Sequence, residues 1–170
     1  VSIILVSGCT SDTNYNSPSK VESGVSDEKP SVVIFKVGET ATDGQIKFTV
    51  NNVRFTSVID EKNNQFLVAE VEAGKQYVIV DITIENILAD KTQTVSTMMQ
   101  IEVVDAEGYT STVDFTALTA LDRPFNDGEI LPSMKKRGEL GFLITNDTTD
   151  LKLTYNFDLF GGTTAIFDIK

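Results

Sequence analysis

From Gln76 to Asn86 the chain alternates in polarity, with Val78, Val80, Ile82 and Ile84 on one parity and Asp81, Thr83 and Glu85 on the other. Successive side chains of a strand point to opposite faces, so this pattern predicts a strand with one face on a core and one in water. A helix would scatter the same apolar residues around its circumference. The stretch therefore commits the chain to a sheet with a buried side, and other segments must supply its neighbours.

Such segments recur along the sequence. Ser31 to Val37 is a compact apolar run ended by Gly38. Ile46, Phe48 and Val50 alternate with polar residues, and Val53 and Phe55 continue on the opposite parity. That shift falls at Asn51-Asn52, which predicts a bulge or tight turn there. Phe66 to Val71 is another short run, Ile101 and Val103 mark a further strand, and Asp105-Ala106-Glu107-Gly108 turns into Tyr109 to Phe115. Leu140, Phe142 and Ile144 alternate after Leu131-Pro132-Ser133, and Leu151, Leu153, Tyr155 and Phe157 form a regular ladder. Gly161-Gly162 then predicts a hairpin that returns Ala165, Phe167 and Ile169 as a last strand. About eight or nine short strands at these spacings predict an all-β, antiparallel β-sandwich over 32–170, with an up-and-down barrel as the alternative. Only residues 116–121 suit a helical turn, too short a piece to add a helical layer.

The segment before residue 32 has a different character. Val1 to Val6 is mostly apolar, Ser7 and Gly8 are small, and Cys9 is the single cysteine of the chain. Val6-Ser7-Gly8-Cys9 resembles the lipobox of bacterial lipoproteins, which implies residues 1–8 as the end of a cleaved secretory signal and Cys9 as the lipidated residue. A basic region normally precedes such an apolar run, so we expect the true start to lie upstream, by about ten residues or more. The apolar run is too short for a spanning helix, which needs about 20 residues. Two acyl chains on Cys9 would anchor stably where one would not. Residues 9–31 are rich in Ser, Asp, Asn and Glu, carry Pro18 and Pro30, and predict a disordered polar tether. About 20 such residues reach roughly 70 Å at full stretch.

Composition narrows the chemistry. The 170 residues carry a formal net charge of −11, with Asp+Glu 25 against Lys+Arg 14, and contain no His and no Trp. Such a surface repels phosphate backbones, so no nucleic-acid partner is expected. Without imidazole there is no Ser-His-Asp or Cys-His system and no ordinary zinc or copper site. Paired carboxylates need neither residue type, but Asp81 and Glu85 lie about 13 Å apart along a strand, too far to act together. No enzyme activity and no cofactor are expected.

The remaining polar clusters are weighed against plain turns. Asp122, Asn126, Asp127 and Glu129 gather oxygen ligands in one predicted loop and form a calcium candidate, although their spacing is not that of an EF-hand and Asn126-Asp127-Gly128 is also a turn sequence. Asp60-Glu61-Lys62-Asn63-Asn64 reads as a hairpin connection at a sandwich end, where recognition loops gather. Met98 and Met99 in a strand would face opposite sides, so core filling is expected over soft-metal binding. Asn146-Asp147-Thr148 matches a glycosylation acceptor, a match taken as chance behind a prokaryotic signal.

With these strands and the amino-terminal segment together, the chain resembles the immunoglobulin-like lipoprotein domain family known as domain of unknown function 4352. The resemblance rests on Gly74-Lys75-Gln76-Tyr77-Val78-Ile79-Val80-Asp81-Ile82-Thr83-Ile84-Glu85-Asn86 and on Asp105-Ala106-Glu107-Gly108-Tyr109. Its third part is Leu131-Pro132-Ser133 with Gly138-Glu139-Leu140-Gly141-Phe142, where the family usually has Gly in place of Ser133. It covers residues 37 to about 158 and implies an immunoglobulin-like sandwich on the outer side of a membrane, with no catalytic residues to carry over. The function expected is a non-enzymatic, extracytoplasmic lipoprotein that engages a protein or envelope component while held to the membrane at Cys9. The alternative is an extracytoplasmic lipoprotein that binds a small ligand or calcium.

Overall fold

The computed structural model describes residues 33–62, 64–160 and 162–170. Cys9, the segments 1–8 and 9–31, and also Asn63 and Gly161, lie outside the described residues, so the predicted lipidation site, signal remnant and tether do too.

The described elements are β1 (Ile34–Lys36), β2 (Thr40–Thr42), β3 (Ile46–Thr56), β4 (Val58–Ile59), β5 (Ala69–Glu70), β6 (Lys75–Asn86) and β7 (Gln93–Val95). They continue with α1 (Thr97–Gln100), β8 (Ile101–Val104), β9 (Thr110–Thr112), α2 (Phe115–Ala120), β10 (Gly128–Ile130), β11 (Lys135–Thr145), β12 (Lys152–Asn156) and β13 (Thr164–Asp168). One sheet has the order β1-β13-β12-β8-β9 and the other β11-β6-β3-β2, while β10-β7 and β4-β5 are two-stranded ribbons. The two large sheets face each other through aromatic rings. Phe48 of β3 stacks on Tyr155 of β12 with centroids 4.1 Å apart, and meets the edge of Phe167 of β13 at 5.4 Å. The fold is an all-β sandwich. Strand pairing is antiparallel except that β1 runs parallel to β13.

The predicted alternation is the packing pattern. Ile46, Phe48, Val50, Val78, Val80, Ile82, Ile84, Leu140, Phe142 and Ile144 are buried from one sheet, against Ile101, Val103, Leu153, Tyr155, Ala165 and Phe167 from the other. The parity shift in β3 is a bulge. Val50 pairs with Ile82 and Asn52 with Asp81, so Asn51 is the extra residue, and Val53 then pairs with Val80 on the core side. Without that insertion Val53 would point away from the core. The final hairpin forms as expected, although its connection runs from Phe157 to Thr163 and closes through a Phe157 N–H to Thr163 carbonyl bond of 3.0 Å.

Ser133 sits where a glycine was expected, and its φ is +58°. The Met134 N–H donates to the Leu131 carbonyl at 3.1 Å. A proline followed by a left-handed residue inside an i to i+3 bond is a type II turn, so the serine holds a conformation that favours glycine.

Several expectations are corrected. The odd face of β6 was expected to meet water, but Tyr77, Ile79 and Asp81 are buried. Tyr77 and Ile79 belong to a second apolar cluster with Ile59, Ala69, Ala117, Ala120 and Leu121. The short α2 contributes Ala117 and Ala120 to that cover, and Ala117 packs so closely on β11 that a Cβ on Gly141 would come within 2.4 Å of it. The Asp114 side chain caps this helix by accepting from Ala117 N–H at 2.8 Å. Met98 and Met99 occupy the α1 turn, not a strand, and are more than half exposed, so they do not fill the core. Between Phe66 and Val71 only Ala69–Glu70 is strand, and Phe66 is exposed. The strand after Gly108 is likewise only Thr110–Thr112, leaving Tyr109 and Phe115 exposed at its flanks.

Candidate functional site

At one end of the sandwich the loop from β8 to β9 stands opposite the loop from β11 to β12. Each is built by local hydrogen bonding. The Asp105 carboxylate accepts from Glu107 N–H and Tyr109 N–H at 3.0 and 2.9 Å, and Gly108 takes a φ of +87°. That conformation closes a tight turn and projects Tyr109 outward, 71% exposed. In the facing loop the Thr145 and Thr148 hydroxyls bond at 2.8 Å, and Asn146 N–H donates to the Gly74 carbonyl at 3.0 Å. The Lys170 ammonium ties the same loop down by donating to the Thr148 carbonyl at 2.6 Å.

Between the loops lies an open groove of about 500 Å³. Its floor is apolar, made by Val103, Ile144 and Leu151, which also belong to the core. Tyr109 stands on one side, and Asp105, Glu107 and Asp147 place carboxylates around the rim. The Asp147 carboxyl is held below the usual carboxylate range by a hydrogen bond from the Thr145 hydroxyl and one from its own backbone, so it is ionised in ordinary buffers. Lys75 is the one basic lining residue, and its ammonium lies 3.4 Å from Glu72. An antiparallel bridge between Val113 and Phe142 ties the chain that follows β9 to β11. Because Lys36 pairs with Asp168, itself opposite Lys152, β1 runs toward the groove and Val33 lies on its far side.

A second polar constellation covers the outer face of the four-stranded sheet. The Arg137 guanidinium donates to both oxygens of Asp81, with its closest contact 2.6 Å, and Asn51 donates to Asp81 at 3.0 Å and to Thr83 at 2.9 Å. Arg54 bridges Glu139, at 2.6 Å, and Glu61. Burial works against the Asp81 charge, but the bonds from Arg137 and Asn51 and the charges of Arg137 and Arg123 outweigh it and hold its carboxyl below the usual value. Across the strand pair, Glu139 goes the other way. Its burial, reinforced by Glu61 and Asp81, exceeds the pull of Arg54 and Arg123 and raises its carboxyl.

The predicted calcium ligands do not converge. Asp122 N–H donates to Glu61 at 2.9 Å, while both Asp127 oxygens accept from Thr97 N–H at 3.1 Å and so cap α1. The Asn126 carbonyl accepts from Lys136, and Glu129 lies in β10 opposite Thr94. Among the described residues no cluster of three or more Cys, Asp or Glu side chains is placed to hold a metal ion. Asp60 to Asn64 does lie in the connection between paired β4 and β5, yet Glu61 and Lys62 are engaged with Arg54 and with the Thr119 carbonyl.

The groove was not predicted as a site. Its residues were visible only as a turn from Asp105 to Gly108 leading into Tyr109, and as an unrelated acceptor match at Asn146 to Thr148. The usable signal was that each segment follows a core strand and one of them delivers an unpaired aromatic.

Residues 35–166 match the family described as domain of unknown function DUF4352. The chain belongs to this family. No curated protein matches its sequence. Among solved structures it is similar to the yjhA protein of Bacillus subtilis, at 19% identity and TM-score 0.60, covering 81% of this chain and 100% of that one. A secreted protein of Mycobacterium tuberculosis, MPT63, aligns at 19% identity and TM-score 0.54 over 81% of this chain and 97% of its own. A candidate lipoprotein of Bacillus subtilis, ycdA, aligns at 13% identity and TM-score 0.53 over 76% of this chain and 38% of that one. Identities this low establish a shared sandwich and nothing finer.

Proposed function

We propose that this DUF4352 chain is a non-enzymatic, lipid-anchored extracytoplasmic module that binds a protein or envelope component through the groove end of its sandwich. The groove itself carries the reading: a concavity between two end loops over a buried apolar floor, with Tyr109 exposed beside it. End loops on a rigid sandwich are the usual place for recognition, because the scaffold fixes them while their sequences stay free. The lipobox-like Val6-Ser7-Gly8-Cys9 supports the anchor, as do a secreted protein and a candidate lipoprotein among the structural relatives. β1 runs toward the groove end, so the described chain enters the sheet at Val33 from the opposite end.

A photo-crosslinking side chain in place of Tyr109, in intact cells, tests this. Specific adducts should form there and be absent with the same group at Thr154, in the middle of the same five-stranded sheet. Equal labelling from both positions would overturn the reading. The anchor is tested separately, since Cys9→Ser should abolish lipid labelling and release the chain from membranes. The groove's volume of about 500 Å³ also falls within the range of small-molecule sites, which favours a small apolar ligand as the second reading.

A further inference from the structure

We infer that the groove selects a basic peptide segment, one in which a lysine or arginine is flanked by an aliphatic or aromatic side chain. This rests on the proposed role of the groove as a docking end, and names the chemistry of what docks there.

The argument begins from the lining. Over a buried floor of Val103, Ile144 and Leu151, the Tyr109 ring, Ala106 and half-buried Leu143 supply the apolar surface that a hydrocarbon side chain can cover, removing water from both. Above that floor carboxylates outnumber ammonium groups: Asp105, Glu107 and Asp147 line the groove against Lys75, and Lys170 is tied to the Thr148 carbonyl behind the Asp147 loop. Glu107 and Asp147 are exposed at the tips of the two facing loops, and Asp147 stays ionised with help from Thr145. The opposing ammonium, Lys75, is already engaged with Glu72. Lysine and arginine match such a site in both parts, since their stems lie on apolar surface while their heads reach out to carboxylates. The Tyr109 ring stands exposed on the same groove and adds a face for the cation. The net charge of −11 steers basic partners toward the molecule and turns acidic ones away. An anionic occupant would place its charge against three carboxylates; a neutral apolar one would leave them without counter-charge.

The test uses the full chain with Cys9→Ser, labelled with ¹⁵N, and two blocked hexapeptides. One alternates lysine and leucine, and the other alternates glutamate and leucine. The lysine peptide should shift the amides of Glu107, Tyr109 and Asp147 in a saturable way, and the glutamate peptide should shift none of them. E107K with D147K should weaken the lysine peptide at least tenfold at low salt. Tyr109→Ala should weaken it several-fold, a loss that diffuse attraction to an acidic surface would not show. All three positions are exposed, so the variants keep the core. An equal response to both peptides, shifts spread over the acidic surface, or affinity unchanged in the double variant would each overturn the inference. Crosslinking at Tyr109 in cells separates the two levels. Adducts there without lysine-peptide binding would discard the basic chemistry and leave the docking end standing, whereas neither signal would discard both.

Discussion

On its even-numbered side β6 presents Val78, Val80, Ile82 and Ile84 to the facing sheet, whereas its odd-numbered side presents Tyr77 and Ile79 to the α2 cluster and Asp81 to Arg137. These positions are buried on both sides, with Thr83 and Glu85 half-buried beyond them, but the physics differs. The inner side is held by apolar area removed from water and by close packing, which depend on shape and are indifferent to pH. The outer side is held in two short pieces, one a small cluster under a single-turn helix and the other a set of charge-assisted hydrogen bonds. Losing one outer piece should loosen its own patch, while losing an inner residue should weaken the whole sandwich.

The largest test of that contrast is Phe48→Ala. The ring is fully buried and touches Tyr155 and Phe167, so its removal should cost about 3–5 kcal/mol in a denaturant melt. Next comes Gly141→Val, which forces a Cβ against Ala117 and should cost about 2–3 kcal/mol. Hydrogen exchange should show protection lost first at Ala117 to Leu121 and retained at Val80 and Ile82. If both regions lost protection together, α2 and the inner core would be one cooperative unit and the contrast would fail.

Asp81→Ala leaves Asn51 and Arg137 without their acceptor and should cost about 2 kcal/mol, less than a fully enclosed pair because Arg137 is more than half exposed. The pH dependence follows from the opposite shifts of the two carboxyls. Asp81 is lowered in the fold, so its contribution is present above its ordinary value of 3.8 and is lost as pH falls through the folded value below that. Glu139 is raised, so protonation favours the fold, and stability is lost as pH rises from 4.5 through its folded value. Glu139→Gln should therefore flatten the upper part of the acid profile and leave the loss below pH 3.8 intact, measured as melting temperature against pH. The smallest expected effect is a gain. Ser133→Gly relieves a left-handed serine in an exposed turn and should raise stability by about 0.5–1 kcal/mol.

Much of the inner face was legible in the sequence, because a buried face repeats every second residue and its pattern is local. The parity change from Val50 to Val53 even located the bulge. The outer face was not legible, since Tyr77 and Ile79 are buried by residues near Ala117, far along the chain, and no alternation marks where a separate segment will settle. The α1 turn was hidden for a related reason: Met98 and Met99 sit between two strands, and four residues are too few to display a helical period. Asp81 was visible as a charge on a strand, but its pairing depends on Arg137 reaching it diagonally from β11, where it stands opposite Thr83. The groove needed the spatial meeting of Tyr109 and Asp147, which only the sheet order provides.

The parallel pairing of β1 with β13 also has a mechanical meaning. Any pull on the chain upstream of Val33 reaches the domain through β1, along the strand axis and away from the groove. Bonds loaded lengthwise share the force and give way together, as a lap joint does, instead of opening one at a time like a zip. Three residue pairs and the Phe35–Phe167 ring contact, 5.2 Å between centroids, form that joint. The first and last strands of the described domain are thus spliced side by side, and tension on β1 bears on the edge of the five-stranded sheet before it reaches the stacked aromatics behind it.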